Sequence, residues 1–169
     1  GLAITCIFLI ANIFVLRLNI FDLEESICFT ENIAIPSYKS YLNKKPVILN
    51  IPYNYKGFYS FRKIFRFKSS MYFAYDKDID FTYIASTPFF KPTDSISAKK
   101  INDSTFQIFN KVSGGWFMKE SLGGSDYEND EVKVDFADDN QSAFVQLKSF
   151  KNNQPILYCT GYDGFKELK

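Results

Sequence analysis

A chain of 169 residues that is 46% hydrophobic and 18% aromatic carries too much apolar material to stay disordered, and it is long enough for one domain with a proper core. Its 20 Lys and Arg against 19 Asp and Glu leave a formal charge of +1, which singles out no class of partner. Histidine is absent, which excludes Ser-His-Asp and Cys-His nucleophile systems, imidazole general bases and His-bearing zinc sites.

From Leu2 to Leu16 the chain is apolar except for Thr5 and Asn12. At about 1.5 Å per residue that run covers only roughly 22 Å of a hydrocarbon core near 30 Å. Adding Leu18 to Phe21 gives about the twenty residues a spanning helix needs, with Arg17 close enough to the end to snorkel. A signal h-region would be shorter and followed by a small-residue cleavage site, and none precedes Ser26. A lipoprotein anchor on Cys6 fits poorly, because apolar residues continue after it; a buried core helix is the other alternative. The expectation is a single-pass N-terminal transmembrane helix in 1–21, followed by one β-rich domain in 22–169.

Asp22, Glu24 and Glu25 follow the span, and the first Lys is Lys39, at the edge of the window that sets orientation. This acidic collar predicts an extracytoplasmic domain, in the periplasm or at the cell surface. Ser26 to Ile35 alternates through Ile27, Phe29, Ile33 and Ile35 and reads as a strand ended by Pro36. Ser37 to Lys45 reads as a helical turn or loop. Val47, Leu49 and Ile51 alternate before a turn at Pro52 to Gly57. Phe58 to Phe73 fits a helix or twisted strands, and its density of Phe and Tyr favours strands.

Asp76, Asp78 and Asp80 precede a strand at Phe81 to Ile84; Thr87 to Lys100 reads as a loop. Thr105 to Phe109 and Trp116 to Glu120 look like a hairpin, and Ser121 to Asp130 like an acidic loop. Val132 to Phe136, Ala143 to Leu147 and Ile156 to Thr160 read as a closing meander. The predicted fold is mainly β, an antiparallel sandwich or partly open barrel of about 8–9 strands.

Charge is segregated. Asn32 to Tyr75 holds no acidic residue, whereas Glu120 to Asp139 holds eight against the single Lys133. The two blocks either face each other or form separate solvated rims. Cys28 and Cys159, near the two ends of the soluble part, suit one disulfide in an oxidising compartment; two buried free thiols are the alternative.

No phosphate loop or dinucleotide fingerprint is present, and no cofactor is expected. Asp76, Asp78 and Asp80 have the opening spacing of a calcium loop, but Phe81 replaces its glycine and Thr87 its bidentate Glu, so no metal is expected. The basic aromatic segment, with Tyr55, Tyr59, Arg62, Lys63, Arg66 and Lys68, suits an acidic protein, anionic lipid or nucleic acid, the last being disfavoured if the domain is translocated. Its plainest reading is core Phe with a solvent face of Lys and Arg. An alternative binding loop is Asp126, Glu128, Asp130 and Glu131. Asn102-Asp103-Ser104 and Asn140-Gln141-Ser142 match the glycan acceptor pattern. The expectation is a non-enzymatic, membrane-tethered protein-binding module of the inhibitor or immunity type. An accessory subunit of a membrane complex and a carboxylate-dependent hydrolase of envelope glycans are the alternatives.

Overall fold

The computed structural model describes residues 2–56, 58–59, 64–91, 93–111, 117–118, 126–137, 141–149 and 154–169. Its first element is one long helix. α1 (Leu2–Cys28) continues through a π turn (Phe29–Ala34), α2 (Ile35–Tyr38) and a 3-10 turn (Lys39–Tyr41). Ile4–Tyr41 spans 38 residues, with mean hydropathy 2.1 in a window that none of the other described residues covers. It is long and apolar enough to cross a membrane, and at 1.5 Å per residue it measures roughly 57 Å, about twice a hydrocarbon core.

The expected strand at Ser26 to Ile35 is therefore helix. Its alternation was a coincidence of spacing: Phe29, Ala34, Ile35 and Tyr38 are buried, whereas Ile27 is 46% exposed. Pro36 does not end the element. It lies in the first turn of α2, and the π turn before it, closed by Ile35 N–H donating to the Thr30 carbonyl, absorbs the missing donor.

Among the described residues eight strands of four or more residues and three of two residues form two sheets. The first has the order β11 (Gly164–Glu167), β10 (Ile156–Thr160), β1 (Val47–Tyr55), β3 (Thr82–Phe89), β6 (Phe117–Met118), with β2 (Phe58–Tyr59) on β1. The second runs β4 (Ser95–Lys100), β5 (Thr105–Lys111), β9 (Ser142–Leu147), β8 (Val132–Phe136), β7 (Tyr127–Glu128). The mainly β, two-sheet architecture is the one expected, and the second sheet is antiparallel throughout. In the first, however, β1 is parallel to β10 and β3, Val47 aligning with Ile156 on one side and Thr82 on the other.

That parallel step from β1 to β3 requires a crossover, and α3 (Ile64–Tyr75) lies in it. Strands expected in the second half of Phe58 to Phe73 are thus replaced by helix. Phe67 and Met71, four residues apart, are buried, while Phe73 points out at 86% exposed. The loop expected at Thr87 to Lys100 is the end of β3 and the whole of β4. β6 joins β3 and not β5, and β10 leaves the meander for the other sheet.

The molecule is layered as helices, mixed sheet, antiparallel sheet. Between the sheets lie Leu49, Phe89, Phe106, Ile108, Val134 and Val145; between helices and mixed sheet lie Phe29, Tyr38, Ile48, Phe67, Leu157 and Phe165. β10 alternates between the two cores, with Ile156 in the first and Leu157 and Cys159 facing the second. Tyr38 centres the helical layer, its ring 5.3 Å from Phe67 and 5.5 Å from Phe165. Gly164, at φ +72°, lets β11 meet the helix: a Cβ there would lie 2.3 Å from Ser37 Oγ. Ser37 Oγ accepts the Phe165 N–H at 2.7 Å.

Candidate functional site

The basic aromatic segment begins where β1 leaves the sheet, and this end of the sheet meets α1. Tyr55 stacks on Phe29, ring centroids 4.5 Å apart and 7° from parallel. Burial pushes its phenol above the ordinary range, helped by nearby Cys28. Lys56 turns the chain at φ 49°, and its N–H donates to the Phe89 carbonyl at 2.6 Å. Its ammonium pairs with Glu25 and sits 5.6 Å from the centre of the Phe21 ring. Glu25 and Phe21 are one turn apart on α1, so a single lysine clips the β1–β2 turn to the helix where the apolar run gives way to the acidic collar. Sequence reading passed over Lys56; the following glycine marked a turn but not its neighbour in space.

The other predicted binding residues separate. Tyr59 and Arg66 are placed by backbone in β2 and α3, and Arg62 and Lys63 lie outside the described residues. Lys68 is exposed on α3, its ammonium 5.6 Å from the Phe81 ring centre. Beside it Tyr72 and Phe73 form an edge-to-face pair, centroids 6.1 Å apart, on the solvent side. The plain expectation for this segment is met in part: Phe67 is core and Lys68 is solvent face, but Phe73 is an outward aromatic.

The acidic loop belongs to the far sheet. Asp126 Oδ1 accepts the Phe136 N–H at 2.8 Å, and Glu128 pairs with Lys148 at 2.7 Å, which holds its carboxyl below the usual range. Asp130 and Glu131 are exposed at the β7–β8 turn, where Asn129 Oδ1 accepts the Glu131 and Val132 N–H groups. Among the described ion pairs none joins the basic block to the acidic one. Lys45 pairs with Asp80, Lys133 with Asp135, each at 2.8 Å.

The expected disulfide does not form. Cys159 is fully buried under the helical layer, where burial pushes its thiol upward, and Cys28 is exposed on α1. Asn32 donates to the Cys28 sulfur. The two cysteines differ in exposure, one on the helix surface and one inside the core, which sequence spacing could not reveal. Among the described residues no three Asp, Glu or Cys gather in a metal-binding group, and Asp80 of the aspartate run is spent on Lys45.

One cleft of about 250 Å³ opens at the end of the sandwich away from Lys56, lined by Lys100, Asp103, Phe106, Gln154, Glu167 and Leu168 among others. It holds two carboxylates, the count a glycosidase needs. Lys100, at 2.8 Å, holds Asp103 below the usual carboxylate range, the wrong direction for a general acid. No known protein family, curated protein or solved structure matches this chain.

Proposed function

We propose that this protein is a non-enzymatic binding module tethered to a membrane by α1, with its β domain on the extracytoplasmic side, in the periplasm or at the cell surface. One observation carries the anchor. The helix is apolar and exposed from Ile4 to Phe21, and the same unbroken helix supplies Phe29, Ala34, Ile35 and Tyr38 to the domain core. A signal sequence is built to be removed, whereas this helix is continuous with the fold. The acidic collar supports the assignment of side. Lys56, the cation held against the emerging helix, is neutralised by Glu25 and adds little to any positive-inside bias.

The surface favoured for a protein partner is the outer side of α3. Lys68, Tyr72 and Phe73 offer one cation and two exposed rings, with Arg66 on the same helix, a composition suited to an acidic partner. An inhibitor or immunity-type protein is the concrete form. The same Phe73, 86% exposed, favours the second reading, an accessory subunit whose α3 is covered in a larger complex.

The test uses the exposed Cys28, which lies just beyond the span. Membranes are extracted with alkaline carbonate, and intact and lysed cells are treated with a membrane-impermeant maleimide without reductant. Retention with Cys28 labelled in intact cells supports the reading; labelling only after lysis puts the domain in the cytoplasm and overturns it.

A further inference from the structure

The residues of α1 repeat every seven. Leu2, Leu9, Leu16 and Leu23 form one series and Thr5, Asn12, Asn19 and Ser26 the other, offset by three and four, so the two interleave as the a and d positions of a heptad. At about 100° per residue they trace one narrow stripe, and Arg17 falls well round the helix from it. Leu9, Leu16 and Leu23 are 56%, 59% and 41% exposed, and Asn12 and Asn19 are exposed as well. Ser26, 3% exposed, is where the stripe runs into the β domain.

Within the apolar run the two asparagines are the telling residues. Asn12 donates from Nδ2 to the Phe8 carbonyl at 2.7 Å, which leaves its Oδ1 without a donor among the described residues. The Asn19 amide makes no hydrogen bond among them. An amide facing hydrocarbon without partners is costly, and an interhelical hydrogen bond is the usual remedy.

We propose that α1 is also a self-association element, and that a second copy of this chain packs parallel to it along the Leu9, Asn12, Leu16, Asn19, Leu23 stripe. Two anchors in one bilayer share direction and depth, so Asn12 meets Asn12 and Asn19 meets Asn19. An amide carries both donor and acceptor and is therefore complementary to its own copy at the same height. The seven-residue period matches left-handed packing, in which polar residues at core positions set register and oligomer number. This inference rests on the reading of α1 as a membrane span.

The experiment uses the full chain in bilayers, in a Cys6→Ser, Cys28→Ser background that leaves only the buried Cys159. Leu9→Cys and Leu16→Cys should cross-link between copies under mild oxidation, whereas Ile7→Cys and Phe14→Cys, on the opposite side, should not. Asn12→Leu with Asn19→Leu should weaken dimerisation, read by energy transfer on dilution into excess lipid, by about threefold to thirtyfold per asparagine, with the β domain's unfolding midpoint unchanged. Retention in carbonate with no cross-link, or with equal cross-linking on both faces, overturns self-association and leaves the anchor standing. Unchanged dimerisation in the asparagine variant overturns the amide seam. Release by carbonate removes the span, and the inference with it.

Discussion

The two sheets are made from similar residues and solve different problems. The antiparallel sheet is covered on one face only: along β9 Ala143, Val145 and Leu147 are buried while Phe144 and Gln146 are exposed. The mixed sheet is covered on both, by its partner sheet and by the helical layer, so Val47 through Pro52 of β1 are buried without interruption. A strand buried on both faces has no alternation to show. It must also satisfy every polar group internally, and β1 does so with a side chain. Asn50 is fully buried, its Oδ1 accepting the Cys159 N–H and its Nδ2 donating to the Cys159 carbonyl, both at 2.9 Å. It holds β1 to β10 beyond the last backbone-registered pair, Ile48 with Leu157.

If the helical layer is integral to the fold, removing a ring buried in it should cost far more than removing an equal ring from the open face. Phe67→Ala should destabilise the domain by about 3–5 kcal/mol, and Phe144→Ala by no more than about 1 kcal/mol. Urea unfolding of the full chain followed by circular dichroism measures both; similar costs would mean that the helices merely rest on a self-sufficient sandwich. Asn50→Leu tests the doubly buried strand itself. It strands the Cys159 N–H and C=O, and should cost about 2–4 kcal/mol.

The smallest effect belongs to the surface pair at the start of β3. Lys45 holds Asp80 below the usual carboxylate range, so whatever this pair adds is present at neutral pH and fades as pH falls through the depressed value. With both side chains about two-thirds exposed, Asp80→Asn should barely move the unfolding midpoint at pH 7 and should remove a carboxyl titration displaced to low pH from an NMR pH series.

The β8–β9 part of the antiparallel sheet was legible because its signals are local. Val132, Val134 and Phe136, then Ala143, Val145 and Leu147, alternate with solvent-facing neighbours, and turn residues separate them. The helical layer was misread where local pattern had two meanings. Ile27, Phe29, Ile33 and Ile35 satisfy a period of two, and Phe58 to Phe73 satisfies both periods; what decided each was the surface available to bury against. The binding residues fared similarly. Lys68 lies on a solvent face, as the plain reading of the segment has its Lys and Arg, but Lys56 meets Phe21 and Glu25, far from it along the chain, only through the fold.

The sequence by itself determined the long apolar helix and the β8–β9 hairpin of the open sheet, because hydropathy over twenty residues and alternation over five are properties of neighbouring side chains in contact with one solvent. The tertiary structure alone decided that residues 29–41 are helix, that β1 pairs in parallel with β10 more than a hundred residues later, and that Cys28 and Cys159 stay apart. Each of these depends on which distant surface a segment covers. That free energy is shared between partners, and neither segment carries it alone.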